Sequence, residues 1–208
     1  MVIYSMLREI VRFIVSVISY ARSRKYYLIS FIHYHSFNKI YIGKSNKFEK
    51  NVRMSFRRSG NVSIANTNHF CRDCKIIIDG GSLEVHSNCT FGEGNIFNVF
   101  SHIIFGDSVL TADRVSFITN IHNYEDVTLP IKHQSTTSDA IEIGDGTWLG
   151  INVVILAGTK IGKNCVVAAN AVVKGNFPDY CVIAGIPAKI VKQYNSKSKY
   201  WEKNIRSY

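Results

Sequence analysis

The chain is short of several things, and each shortage excludes something. It has 3 prolines among 208 residues and no Gly/Ser-rich stretch, so nothing marks a linker between domains. Within residues 1–27 the longest uncharged run, Phe13–Ala21, is brief for a membrane span, and no small-residue cleavage site follows it as a signal peptide requires. Acidic residues are scarce early on: residues 1–60 hold 2 Asp/Glu against 12 Lys/Arg, while residues 61–208 hold 13 of each. The whole net charge of +10 therefore sits in the N-terminal third. A second cysteine pair is also missing. Cys71 and Cys74 form one C-x-x-C with His69 nearby, but a structural zinc site takes four ligands. The five cysteines are scattered and odd in number, so the expectation is small buried residues in a reducing compartment, with no metal.

The basic third is interleaved with aromatics (Phe13, Tyr20, Tyr26, Tyr27, Phe31, Tyr34), which raises nucleic acid as a partner. No RNA- or DNA-binding motif accompanies them, and that reading is set aside. An anionic membrane surface or an anionic polymer would feel the same charge. Residues 1–38 read as a basic helical extension. Ile3, Leu7, Ile10, Ile14 and Val17 form one face, with Arg8, Arg12, Ser16 and Ser19 opposite. Such a helix either packs on its own domain or a neighbouring subunit, or lies in the membrane interface.

What the chain has in quantity is apolar residues, 46% of the total, enough for one domain with a real core. Their spacing is unusual. Ile143, Leu149, Ile155, Ile161, Val167 and Val173 recur at every sixth position, a period belonging to neither a helix nor a strand. A second row of smaller residues, Val153, Thr159, Cys165 and Ala171, follows four positions after each. Gly144, Gly150, Gly162 and Asn164 stand where a corner is due. Three short sides per coil, each pointing one large residue inward, account for the beat: a hexapeptide parallel β-helix that buries its core by stacking coils. Upstream, Val85, Phe91 and Phe97 form one set, with Cys89 and Asn95 in the small row. Phe105, Thr111 and Phe117 form another, with Val109, Val115 and Ile121. The register slips by two between these sets, as a corner bulge or loop would cause, and over residues 40–80 the beat cannot be fixed.

Residues 118–140, "ITNIHNYEDVTLPIKHQSTTSDA", have no period and are expected to loop out from a corner, where excursions on a rigid scaffold often carry function. Pro187 is expected to open a short helix capping the last coil. The division is then 1–38 extension, 39–186 β-helix and 187–208 C-terminal helix and tail.

Over about residues 83–194 the chain resembles the hexapeptide-repeat acyltransferases, whose fold is a left-handed parallel β-helix. It is most similar to the O-acetyltransferases of bacterial capsule and O-antigen polysaccharide. The resemblance is carried by "FNVFSHIIFGDSVLTADRVSFITNIH", "TWLG" and "AGIPAKIVK". It implies acetyl-CoA as co-substrate and no metal. It also implies a homotrimer with active sites between subunits and a cytoplasmic location, to which the basic charge of residues 1–60 adds a peripheral contact at the inner face of the plasma membrane.

The family places a histidine sixteen residues after the glycine of an Ile-Gly-Asp corner, and His122 stands at that distance from Gly106. The chemistry needs such a group, because an imidazole, with an ordinary pKa of about 6.5, can take the proton of a hydroxyl attacking a thioester. The resemblance further implies Asn98 at the acceptor or oxyanion and Trp148 near the acetyl end of CoA. For CoA itself it implies Ile151, Ala169, Lys174, Gly175, Lys189 and Lys192, the last two lysines as phosphate partners on the terminal helix. Many relatives carry Asp or a second histidine beside the base, whereas here the neighbours are Asn120 and Asn123. A backbone carbonyl, Asn120, Glu125 or Asp126 is left to orient the ring, and His133 is the weaker substitute base. The remaining readings are acetylation of a small acceptor (an amino sugar, serine or an antibiotic) and a non-catalytic scaffold. A γ-type carbonic anhydrase is disfavoured, since His69, His86, His102, His122 and His133 offer no H-x-x-x-x-H pair.

Overall fold

The structure, a computed structural model, describes residues 39–203. The expected N-terminal helix lies outside the described residues. From Lys39 onward short strands wind into coils of three sides. The first described coil consists of Lys39–Ile42, Lys47–Phe48 and Arg53–Phe56, and later coils add parallel strands to the same three sheets. The first sheet has 7 strands, the second 9 and the third 6. This is the solenoid that the period of six requires. Among the described residues no helix is long and apolar enough to cross a membrane.

Coil length shrinks along the chain, and the core changes with it. Phe48 stands opposite Phe70, Phe70 opposite Phe91 and Phe91 opposite Thr111, which are offsets of 22, 21 and 20 residues. Leu149 stands opposite Val167, an offset of 18, and Val167 opposite Ile183, an offset of 16. Longer coils enclose a wider interior, and phenylalanine fills it. Phe48, Phe70 and Phe91 stack at 4.9 and 4.6 Å between centroids, Phe97 stacks on Phe117 at 5.1 Å, and Phe105 stands edge-on to Phe91 and Phe117. In the narrower coils Ile143, Leu149, Ile155, Ile161, Val167 and Val173 suffice, and all are buried. The slip of two between Phe97 and Phe105 comes from longer strands, Ile96–Val99 and His102–Phe105, each burying two residues and meeting at a corner.

Corners are closed by side chains that reach the next coil. The buried Asn46 accepts from the Asn68 amide N–H and Asn68 from that of Cys89, both at 2.8 Å, satisfying groups the strands leave unpaired. On another row Asp107 accepts from Ser87 N at 2.8 Å, and Asp145 from Asp107 N at 3.0 Å. Lys163, 2.9 Å from Asp145, holds that carboxyl below its ordinary range together with the Asp107 N–H. Gly144 is required by proximity, since a Cβ there would stand 2.6 Å from the Gly162 carbonyl carbon.

Two expectations need correction. Ile121 does not enter the inward row: it is 36% exposed, because the chain leaves the coil after Thr119, whose own side chain is buried and bonds to the Asn98 carbonyl at 2.9 Å. The C-terminal segment is not a helix. The chain reverses at Gly185, Ile186 and Pro187, and Ala188–Asn195 runs antiparallel to Cys181–Gly185, with Tyr200–Lys203 antiparallel beyond it. The last coil presents an open strand edge, and a segment with Ile190, Val191 and Tyr194 suits pairing with it better than a helix would. Tyr194 meets Trp201 edge-on across this hairpin at 5.5 Å.

The Cys71-x-x-Cys74 pair is a coil corner. Cys74 points into the core, Cys71 is half-buried, and Cys89, Cys165 and Cys181 are buried; all are free thiols. Burial pushes Cys74 up to about 12 and Cys89 up to about 11, far from the thiolate form a nucleophile needs.

Candidate active site

The aperiodic segment leaves the solenoid where the third sheet turns to the first. Its base is closed by Asp139 N donating to Thr119 O at 3.0 Å. Asn120–His122 then pairs antiparallel with Thr136–Ser138, His122 opposite Thr136. Asn123 extends the ladder through Ser135, by its backbone at 3.0 Å and its side chain at 2.8 Å. At the tip Asp126 caps Thr128, and Gln134 ties the Asp126 and Leu129 carbonyls together. His122 is thus the third residue of an arm projecting from a rigid corner. Its side chain is exposed, and among the described residues none bonds to its imidazole.

The groups considered for orienting that ring are engaged or elsewhere. The Glu125 carboxylate accepts from Tyr124 N at 3.0 Å, and Asp126 is spent on Thr128. Asn120, two residues before His122, leaves its Oδ1 buried without a donor. Asn98 does the same from the outer row of the third sheet, between Ile77 and Ile118. The Asn98 carbonyl accepts from Thr119, so both unpaired amides flank the root of the arm. A buried acceptor left unpaired costs about 1–3 kcal/mol, so these two are sites where a donor from outside the chain gains the most. Sequence reasoning named Asn120 only as a group that could orient the His122 ring; its buried, unpaired oxygen is visible only in the structure, because burial, and not residue type, distinguishes it from any loop asparagine.

The other expected residues fall into two groups. Trp148 lies on the outer face of the second sheet, 48% exposed, in a row with Leu110, Val166, Val182 and Lys192. Ile151 and Ala169 occupy equivalent positions at the corner between the second and third sheets, one coil apart. Gly150 beside them admits no side chain, since a Cβ there would stand 2.7 Å from Ala169 N. Lys189 pairs with Ala184 and Lys192 with Val182, and a bulge between them turns both lysines to the outer face. Lys174 and Gly175 instead lie at the third-to-first corner, the one from which the His122 arm departs. Within one chain, then, Asn98, His122, Lys174 and Gly175 gather at one edge of the prism. Trp148, Ile151, Ala169, Lys189 and Lys192 gather along the second sheet and its far corner.

Comparison with known proteins bears on both groups. Residues 140–175 match the family model described as bacterial transferase hexapeptide (six repeats). An Escherichia coli K12 protein named for O-acetyl transfer in lipopolysaccharide biosynthesis, WbbJ, is 38% identical over 174 residues, an alignment covering 66% of this chain and 88% of WbbJ. A Mycobacterium tuberculosis protein named as an acetyltransferase is 41% identical over 122 residues; there the alignment covers 59% of this chain and only 40% of the relative's length. Among solved structures, a mutant of the Bacillus cereus N-acyltransferase AntD in complex with dTDP and coenzyme A superposes with a TM-score of 0.64 at 18% identity, covering 76% of this chain and 84% of AntD. The polysialic-acid-specific acetyltransferase NeuO gives 0.51 at 18% identity, covering 84% and 86%. At such identities the last two likenesses speak to the fold alone.

Proposed function

The chain belongs to the hexapeptide-repeat acetyltransferases, and on that premise we propose that it is an acetyl-CoA-dependent O-acetyltransferase. The acceptor in this reading is a hydroxyl of a bacterial surface polysaccharide, capsule or O-antigen, or of its precursor. One observation carries the reading: His122 stands exposed, with no partner for its imidazole among the described residues, on an arm built out from a solenoid corner. WbbJ, the relative matched over most of its own length, supports a polysaccharide acceptor.

In this mechanism the His122 imidazole takes the proton of the acceptor hydroxyl as its oxygen attacks the acetyl carbonyl carbon. The tetrahedral oxyanion gathers charge that the Asn98 side-chain amide can receive. The carbon–sulfur bond then breaks, and the imidazolium returns its proton to the CoA sulfur. Trp148, Ile151 and Ala169 would line the path of the pantetheine arm, with Lys189 and Lys192 at the phosphates. Lys174 and Gly175, on the His122 side, would approach the same cofactor from the other wall.

Such a site requires two copies, since the two groups occupy different edges of one chain. The outer face of the third sheet supports assembly. Its two outer rows carry Ile96, Val154 and Val172, and Ile77, Ile118 and Leu156, interrupted by Ser116 and Asn98, whereas the first sheet shows Lys39, Asn61, Ser82, Glu84, Glu142 and Lys160 outward beside Tyr41 and Ile104. A homotrimer burying those rows would bring His122 of one copy against the CoA groove of the next. The reading places the enzyme in the cytoplasm, with the basic N-terminal third towards a lipid-linked intermediate or an anionic polymer.

The test is thiol release from acetyl-CoA against extracted capsule or O-antigen material and against a panel of amino sugars, serine and antibiotics. Release with the polysaccharide fraction is expected. Release only with a small acceptor would transfer the activity to another substrate class, and binding of no CoA at all would leave a scaffold.

A further inference from the structure

The corner formed by Cys71 and Cys74 carries more than a turn. Cys74 is committed to the core, its Sγ donating to the Gly92 carbonyl at 3.2 Å. Cys71 faces outward, and beside it on the same strand-and-corner His69 also faces outward. Glu49 occupies the position equivalent to Cys71 one coil earlier, since Phe48 is the register partner of Phe70. Three different ligand types therefore converge from two adjacent coils. His69 Nε2 is 2.9 Å from Glu49 Oε1 and 3.9 Å from Cys71 Sγ, and all three ligand atoms lie within 4.8 Å of one another. A nitrogen and a sulfur bound to one tetrahedral ion, at about 2.0 and 2.3 Å from it, stand roughly 3.5 Å apart, so an ion would fit with shifts of a few tenths of an ångström.

The surroundings suit an ion as well. The next coil places Gly92 at the equivalent corner, so no side chain crowds Cys71 from that side. The Arg72 amide N–H holds the other Glu49 oxygen at 3.2 Å, fixing the carboxylate's direction. Lys47 lies 3.0 Å from Glu49 Oε1, but with 59% of its side chain exposed it can leave for water. A second cluster, His86, Asp107 and Asp145, offers no sulfur ligand, and both of its carboxylates are tied into a corner ladder. There the carboxylates are spent capping the amides of Ser87 and Asp107, Lys163 neutralises Asp145, and Glu84 holds the imidazole at 3.0 Å. Its groups belong to the corner ladder.

We propose that Glu49, His69 and Cys71 form a binding site for a zinc-class divalent cation, with solvent as the fourth ligand, which clamps the first coil of the solenoid to the second. On binding, the Cys71 thiol gives its proton to solvent as the sulfur–metal bond forms. Thiolate, imidazole and carboxylate together select zinc, cobalt(II) or cadmium over magnesium and calcium, which prefer all-oxygen sites. The place is one where a clamp has value: among the described residues the first coil has a neighbouring coil on one side only. The site is remote from the His122 arm, and the proposal does not depend on the acetyl-transfer reading.

The experiment uses the full chain, stripped of metal and kept reduced with a phosphine, titrated with cobalt(II) alone. The expected result is a sulfur-to-cobalt charge-transfer band saturating at one equivalent and abolished by zinc. That band is lost in Cys71→Ser, and cobalt affinity falls at least about tenfold in His69→Gln and Glu49→Gln. It is unchanged in His86→Gln. Zinc should also raise the unfolding midpoint of the wild-type chain and not that of Cys71→Ser. Absence of a charge-transfer band, its survival in Cys71→Ser, or its loss in His86→Gln in place of His69→Gln would overturn the proposal.

Discussion

Phe97 and Leu149 do the same job in different coils, and the difference between them explains why only part of the repeat could be read. Both point inward from a side of the prism and both are fully buried. Between Ile143 and Val173 each coil is 18 residues, three sides of six, so the inward residue returns on a strict beat. Coils of 22, 21 and 20 residues are not multiples of six, and over residues 40–80 the same architecture leaves no fixed period. Their signature is the inward phenylalanine at 48, 70, 91, 97, 105 and 117, which a count of generic apolar residues overlooks. The wide and narrow cores should respond oppositely to exchange. Phe97→Ala should cost about 3–5 kcal/mol, because it empties a wide interior whose neighbours are themselves stacked rings. Leu149→Phe should cost about 1–3 kcal/mol by overfilling a narrow one. Urea unfolding midpoints measure both, and a tolerated Leu149→Phe would contradict the link between coil length and side-chain size.

At the scale of elements, the arm carrying His122 was legible as an interruption and the terminal hairpin was not. A polar, aperiodic stretch inside a solenoid has no inward residues to offer and must leave the coil. Pro187 invited a helix because proline suits a first helical turn, but the unpaired edge of Cys181–Gly185 competes for the same segment and wins. That competition depends on where the last coil ends, which Ala188–Asn195 does not encode. The arm makes a sharper prediction. Its base is closed by Thr119 and Asp139, and its ladder is internal. Replacing residues 120–138 with two glycines should leave the solenoid's far-ultraviolet dichroism and its unfolding midpoint nearly unchanged, while abolishing acetyl transfer. Loss of the fold would show that the arm is part of the core and not an addition to it.

For the whole molecule, charge and assembly matter most. The +10 of residues 1–60 against a neutral remainder makes an anionic acceptor or surface the expected partner. KM for an anionic polysaccharide should therefore rise several-fold between about 0.01 and 0.3 M salt, as the screening length shortens from roughly 30 Å to well under 10 Å. A flat KM would remove the steering role from the N-terminal third. The candidate site residues came from motifs and the family resemblance, which also implied a site between subunits; the structure adds the division of those residues between two edges of the prism, because spacing along a chain does not say which side of a coil a residue faces. That division is why the proposed chemistry needs a neighbouring copy. Its centre remains the exposed imidazole of His122, and the most direct test is turnover of acetyl-CoA by His122→Ala with the accepting polysaccharide. The account predicts that turnover falls by at least about a hundredfold, in line with the usual value of a general base, while CoA affinity and the unfolding midpoint stay at their wild-type values. Near-normal turnover by that variant would contradict it.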